Sequence, residues 1–506
     1  MKKVSLLLAL ALIAALLAPA ALAATSGNCG TNITWRYSNG TLTITCNGEG
    51  RMNDYNRFDS SPWYSLRLSI HTVKMTGYIT YIGTHNFYGI GGSDGADYTL
   101  PDTVTEIASY GFSGCNINSF NFPALLTTLR ASSFENSRFS GSIDIPEKVT
   151  NIPYRAFYGC GATALTLPAG LKTIEFNAFT FLYGPTSIDL PEGLKSIGSN
   201  AFFNCNSLTE VTIPASVTSY ENAFGYCCRL EAIHVAPDST ILSSADGVLF
   251  NKEGTKLLMY PTGKKDESYT VPASVTELAG SAFAYNQYLK SVTLPDGITA
   301  LPGSAFYKCV ALTNVHFPAA LTSIGNSAFE ECTALTEMTI PRSVTTLGDT
   351  VFFKSKVSRV TIPPTVKTLG TRVFDNCPED LTLYVVAASP AHAYTVENSH
   401  AFEFLSPFDY ADFILPGDLK TIEESAFEGI DATIVVIPEG VTIIGSRAFA
   451  ACPNLKHVSV PDSVTRIVSD AFDGCGAVYL YGTKGGLVQS YAQGHSGVEF
   501  VAMEEF

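Results

Sequence analysis

The sequence predicts an α/β solenoid, a chain wound into a stack of short and nearly identical coils. Three observations carry this. Fourteen prolines (Pro101, Pro123, Pro146, Pro168, Pro191, Pro214, Pro272, Pro295, Pro318, Pro341, Pro363, Pro416, Pro438 and Pro461) each follow Leu, Ile, Val or Phe and recur at intervals of mostly 22 or 23 residues. Thirteen of them are followed eleven residues later by Phe. The unit they mark reads roughly L-P-x-x-V-T-x-I-x-x-x-A-F-x-x-C-x-x-L-x-x-V-x-I, and about 16 such units fit the chain. A period of this length is the signature of a repeat architecture. A coil this short cannot bury its own apolar side chains and is stable only between neighbours, so packing accounts for most of the regular residues. Function has to be sought in the positions that vary.

Taken in order, residues 1–23 read as a secretory signal peptide: Lys2 and Lys3, an apolar run from Val4 to Leu17, and the small-residue end Ala21-Leu22-Ala23. Residues 24–85 do not fit the repeat and read as a β-rich amino-terminal cap. Trp35 to Ile44 alternates around Asn39-Gly40, the pair that tolerates a type I′ turn, which predicts a hairpin. Cys29 and Cys46 flank it, and a bridge between them is expected because the end of a solenoid lacks a stabilising neighbour. Trp63 is expected to cover the apolar edge of the first coil. The main array spans 86–380, with the repeat phenylalanines as a stacked interior spine. Between about 237 and 271 the pattern breaks for two apolar strands around Gly254, read as an inserted hairpin. A second break, 381–408, has an echo at the end of the chain: Leu383-Tyr384, Tyr394 and Phe402-Glu403-Phe404 match Leu480-Tyr481, Tyr491 and Val498-Glu499-Phe500 at an offset of 97 or 96 residues. Both read as strand, helix, strand. The later copy, 478–506, is then a carboxy-terminal cap, the earlier a cap-like insertion, and 409–477 a second short array. Either the arrays are two blocks hinged near Ser406-Pro407, or one solenoid carries a helical insertion.

Composition narrows the function. The formal net charge is −15, or −17 once the leader's two lysines are removed, which argues against a nucleic-acid partner. No later stretch approaches the ~20 apolar residues of a membrane-spanning helix. Nine of the twelve cysteines (Cys115, Cys160, Cys205, Cys227, Cys309, Cys332, Cys377, Cys452 and Cys475) share one repeat position, three residues after the repeat Phe, where other repeats carry Ile90, Ser137, Leu182, Asn286, Ser355 or Ile430. A site accepting these alternatives asks for a compact buried filler rather than a metal ligand. Adjacent coils also place Cys205 by Cys227, Cys309 by Cys332 and Cys452 by Cys475 within disulfide reach.

The Pro-x-x-Val-Thr-x-Ile and Ala-Phe-x-x-Cys-x-x-Leu units, the Asp246-Gly247-Val248-Leu249-Phe250-Asn251 stretch and the opening Trp35 to Met52 together resemble the BspA-like leucine-rich repeat family over nearly the whole mature chain. The resemblance implies a curved solenoid with a parallel sheet on its concave side and short helical or irregular convex turns. It also implies a bacterial secreted or surface protein, often linked to adhesion, and says little about a specific ligand.

Alternation along L-x-x-V-x-I sends the residues between the apolar ones to solvent on the concave sheet. One such row runs Asn121, Asp144, Thr166, Asp189, Thr212, His234, Thr293, His316, Thr339, Thr361 and Ser459. A second, two residues earlier, includes Ser119, Ser142, Glu210, Asn314, Glu337, Arg359 and His457. Asn121, Asp144, Asp189, Glu210, Thr212, His234, Asn314, His316, Glu337 and Arg359 are the candidate ligand contacts. The face is small, hydroxylated and short of aromatic anchors, which points to weak or multivalent protein or glycan binding. Neither a Gly-x-Ser-x-Gly elbow nor a His-Glu-x-x-His helix is present, and an Asp144–Asp189 carboxylate pair would lie on an open sheet with no apolar pocket to raise one pKa. The expectation is an exported, monomeric, non-enzymatic interaction protein without cofactor or metal. The alternative is a structural spacer with no dedicated ligand.

Overall fold

The computed structural model describes residues 25–386, 389–405, 411 and 413–503. The expected signal peptide, the Ser406-Pro407 hinge point and the last three residues lie outside them. The chain divides into two compact units, one running to Asp266 together with Ala282–Tyr288, the other comprising Glu267–Ser281 and the chain from Leu289. Each is a parallel β-solenoid.

Most regular turns contribute to two parallel ladders. In the second unit the L-x-x-V-x-I strands Glu337–Thr339, Arg359–Ile362, Thr382–Val385 and Ala401–Phe404 pair in register, rung on rung. The Thr-x-Ile segment forms a two-residue strand, as in the ladder Asn151–Ile152, Thr173–Ile174, Ser196–Ile197 and Ser219–Tyr220 of the first unit. The repeat proline makes the corner between them. Its carbonyl accepts the N–H of the residue three further on, as from Val149 to Pro146 at 3.0 Å and from Val344 to Pro341 at 3.0 Å. That closes a β-turn which its fixed φ helps to enter.

The third side of each turn is built around the repeat Phe. Left-handed residues sit two before and two after it: Ser132 (φ 60°) and Asn136 (58°) around Phe134, Ser327 (54°) and Glu331 (58°) around Phe329. This backbone has no helical run. Among the described residues, helix is confined to the 3₁₀ segment Tyr64–Ser69 and to Pro390–Glu397 and Leu487–Gln493, so the convex turns are irregular rather than helical. The rings stack almost parallel inside the coil. Phe87, Phe112, Phe134, Phe157, Phe179, Phe202 and Phe224 follow one another at 4.9 to 5.4 Å with interplanar angles of 5–9°. In the second unit Phe306, Phe329, Phe352 and Phe374 do the same at 5.4 to 5.6 Å.

The ladder cysteines are more than small fillers. Eight of the nine thiols reach the carbonyl of the preceding turn's Phe, among them Cys115 to Phe87 at 2.8 Å, Cys160 to Phe134 at 3.1 Å, Cys332 to Phe306 at 3.1 Å and Cys475 to Phe449 at 3.0 Å. Ser137 gives its hydroxyl to Phe112 in the same way at 2.5 Å. The position supplies a hydrogen-bond donor as well as volume, and all twelve thiols are free. Burial pushes the Cys115 and Cys332 thiols up to about 12, so they stay protonated and able to donate.

At the amino-terminal end, strands Ser26–Gly30, Ile33–Ser38 and Thr41–Arg51 form an antiparallel meander, with Asn39 (φ 46°) and Gly40 (79°) making the turn. Trp63 is fully buried, lies over Phe87 at 5.7 Å and donates its indole N–H to the Asn86 carbonyl at 2.7 Å. The expected Cys29–Cys46 bridge is not formed here. Both are buried free thiols, and Cys46 Sγ–H points to the Gly48 carbonyl at 3.3 Å. The insertion is a three-stranded antiparallel meander, Leu242–Ala245, Val248–Asn251 and Lys256–Met259, rather than a single hairpin. Asp246 (φ 49°) and Gly247 (76°) make its first turn, and Gly254 (68°) sits in its second.

The strand–helix–strand motif occurs twice. Thr382–Val385, Pro390–Glu397 and Ala401–Phe404 form one copy; Val478–Gly482, Leu487–Gln493 and Val498–Ala502 form the other. In both, a tyrosine set edge-on ends the phenylalanine stack: Tyr394 on Phe374 at 6.1 Å, Tyr491 on Phe472 at 6.1 Å. Such strands are rungs without the repeat's proline, one reason the turns number about 19 rather than about 16.

Replacing a ring in mid-stack removes contacts to both neighbours. Phe179→Ala should therefore cost about 3–5 kcal/mol in urea unfolding, against less than about 1 kcal/mol for the exposed Thr212→Ala. Alkylation with iodoacetamide should label the half-buried Cys228, Cys377 and Cys475 first and the other thiols only after unfolding.

Candidate binding face

The predicted concave rows divide into three groups. In the first unit the polar side chains engage one another. Asp144 accepts the hydroxyls of Ser142 (2.5 Å) and Thr166 (2.7 Å), Ser119 gives its hydroxyl to Asp97 (2.6 Å), and Glu210 lies 3.9 Å from His234 on the next rung. Thr212 is exposed beside His234. Asp189 is exposed in a segment outside any strand. Asn121 has a structural role: its amide accepts from the Leu100 N–H and donates to the Leu100 carbonyl, both at 3.0 Å, extending the ladder by a side chain.

The second unit brings the remaining candidates together. Asn314 and His316 stand on strand Asn314–His316, their side chains 3.0 Å apart. Glu337 and Thr339 stand on Glu337–Thr339, which belongs to a different sheet. Between these strands lies a groove of about 510 Å³, lined by Asn314, His316, Phe317, Glu337 and Thr339 with Pro341 at its end. The next rungs place Arg359 opposite Glu337, and Thr361 beside Tyr384. The Arg359 guanidinium lies over the Tyr384 ring at 4.2 Å.

Tyr384 was missed by the sequence rows because no repeat proline follows its strand. Arg and Tyr are the side chains that dominate interface energetics, so this face does carry an anchor. The arrangement offers a carboxylate, a guanidinium held flat by an aromatic ring, an imidazole, an amide and hydroxyls on a rigid open surface. Such a set can bind. It has no enclosed apolar pocket in which an acid and a base would be driven apart. Among the described residues no group of three or more His, Cys, Asp or Glu could hold a metal ion.

A third group departs from the prediction. His457 and Ser459 were placed in the solvent rows, yet both are buried, at 3% and 7% exposure. The His457 ring packs 5.7 Å from Tyr479 and from Tyr481, and its Nδ1 is 2.8 Å from the Tyr481 hydroxyl. Alternation assigns a face of the sheet; it does not say what covers that face.

A model of the BspA type leucine rich repeat region matches residues 59–183, 140–245, 262–379 and 395–481, most of the chain. The chain belongs to this family. No curated protein matches the sequence. Among solved structures, a leucine-rich repeat protein from Eubacterium ventriosum is 23% identical over 89% of this chain and 94% of that one, with a TM-score of 0.41. The pneumococcal vaccine antigen PcpA is 18% identical over 94% and 99%, TM-score 0.44. A leucine rich cell surface protein from Faecalibacterium prausnitzii is 18% identical over 94% and 96%, TM-score 0.41. In this BspA-type chain no described helix is long and apolar enough to cross a membrane.

Burial, with Lys456 beside it, holds His457 down at about 4. An unfolded histidine titrates near 6.5, so between these values the unfolded chain binds a proton that the folded chain refuses. The stability tied to this group is therefore complete above pH 6.5 and is lost as pH falls toward 4, by up to about 3 kcal/mol. Thermal melts at pH 7.0, 5.5 and 4.5 should show a steeper acid loss for the wild-type chain than for His457→Asn.

Proposed function

We propose that this BspA-type protein is an exported, non-enzymatic interaction protein, adhesin-like in action, that holds a macromolecular ligand on the open sheet face of its second unit. The observation that carries the reading is the Arg359–Tyr384 pair beside the Asn314/His316–Glu337/Thr339 groove: the exposed polar groups of four strands converge next to a preordered anchor. In the first unit the equivalent rows are largely satisfied among themselves, which favours the second unit as the binding face. The family supports a surface role, the leader-like residues 1–23 support export, and the repeat scaffold, in general non-enzymatic, supports binding over catalysis. The ligand is a protein or glycan presented by a host or microbial surface.

The test is binding of residues 25–506 at physiological salt to immobilised matrix proteins, mucins and bacterial surfaces. Saturable binding should be lost on heat denaturation and fall at least about tenfold in Arg359→Ala and Glu337→Ala, the effect expected of anchor residues. Binding that persists in both variants would move the site elsewhere, and no binding across the panel would favour a structural spacer.

A further inference from the structure

A second feature lies in the first unit, at the position that follows the cysteine ladder. There Arg138, Gly161 and Tyr183 are aligned on three consecutive rungs, Arg138 paired with Gly161 and Gly161 with Tyr183 in parallel register. In such register the three residues point the same way. The middle one has no side chain, and a Cβ built on Gly161 would meet nothing within 4 Å. The result is a slot flanked by an exposed guanidinium on one side and a tyrosine, 47% exposed, on the other. It opens into a groove of about 620 Å³ whose floor includes Gly159, Gly161 and Gly184.

The dimensions and charge define an occupant. Rungs two apart are separated by roughly 9.6 Å, so a layer filling the gap lies ~4.8 Å from each flank. A flat aromatic ring packed on Tyr183 at ~3.5–4.0 Å would leave the far side loose, whereas a puckered saturated ring occupies the full width. Arg138 makes no ion pair among the described residues, in a chain of net charge −15. The slot therefore offers one aromatic face and one uncompensated cation over a glycine floor, with the exposed Thr163 at its rim. From Tyr183 the aromatic surface continues to Phe181 at 6.2 Å, tilted by 40°, and to Phe203 set edge-on to it at 6.1 Å.

We propose that the Arg138–Gly161–Tyr183 slot is a carbohydrate site that takes an acidic sugar residue, its C–H face on Tyr183 and its carboxylate at Arg138, with the following residues of the glycan running past Phe181. The site is distinct from the open sheet face of the second unit, and the two readings stand or fall separately.

The experiment is titration of residues 25–506 by saturation-transfer NMR and calorimetry with 3′-sialyllactose and a glucuronate-terminated disaccharide, with lactose as the neutral control. Saturable binding of at least one acidic saccharide in the ~mM range is expected, with lactose at least about tenfold weaker. Gly161→Leu should abolish it by occupying the slot. Gly161 is not in a left-handed conformation and the space is open, so this variant should keep the wild-type melting temperature. Tyr183→Ala should abolish binding as well, while Arg138→Gln should equalise the acidic and neutral ligands. Arg359→Ala should change nothing. The proposal is overturned if neither acidic saccharide saturates, if Gly161→Leu binds like wild type, or if a short acidic peptide displaces the sugar at equal concentration.

Discussion

The repeat phenylalanine is the point on which each turn depends. Its ring lies between the rings of the turns above and below, as Phe157 does at 5.2 Å from Phe134 and 5.4 Å from Phe179. Its N–H donates to the residue before the next turn's phenylalanine, as from Phe157 to Ala178 at 2.9 Å. Its carbonyl receives the cysteine thiol of the turn that follows, as Phe134 does from Cys160. All three interactions reach across turns, and none can form in a single coil. The left-handed residues on either side bring the backbone into the tight bend that presents ring, amide and carbonyl in three directions at once. Some of that strain falls on Gly and Asn, which tolerate it best, but the same positions also hold Ser132, Arg155, Phe181, Thr350 and Lys354, held there by the interactions across turns.

Because the interior is fixed this completely, variation is confined to outward positions, and two outcomes are visible. Where neighbouring rungs carry complementary groups, as with Asp144 and Thr166, the side chains satisfy one another and the surface is closed to a partner. Where the sheet parts, between Asn314–His316 and Glu337–Thr339, the same residue types line a groove. A rigid stack also holds its outward groups in place before a ligand arrives, which lowers the ordering cost of binding and lets a modest set of contacts suffice.

Repeat period, recurring prolines, phenylalanine spine and the doubled strand–helix–strand motif were all legible in the sequence, because each leaves a regular mark at fixed spacing. The hydrogen bond made by the ladder cysteines was not. Ile90 and Leu182 occupy the same position, so substitution pattern points to volume, while the acceptor belongs to another turn. Outward residues were legible only as directions. Asn121 faces outward and spends its amide on Leu100; His457 and Ser459 face outward and are covered; Tyr384 faces outward on a rung with no proline to announce it. Gly161 is the extreme case, since an absent side chain gains meaning only from what stands on the rungs to either side.

The ends show the same logic from the other direction. A parallel stack exposes a phenylalanine face and a strand edge wherever it stops, and both invite association. In two places the chain meets the first demand with a tyrosine turned edge-on, Tyr394 on Phe374 and Tyr491 on Phe472, carried by a short helix that no repeat turn could supply. The perpendicular ring matters. A parallel ring would offer a new face to the next, whereas an edge-on ring ends the series, and the Tyr491 hydroxyl then reaches back to the Ser469 carbonyl at 3.1 Å. Termination thus uses the interaction that builds the array, rotated so that it cannot propagate.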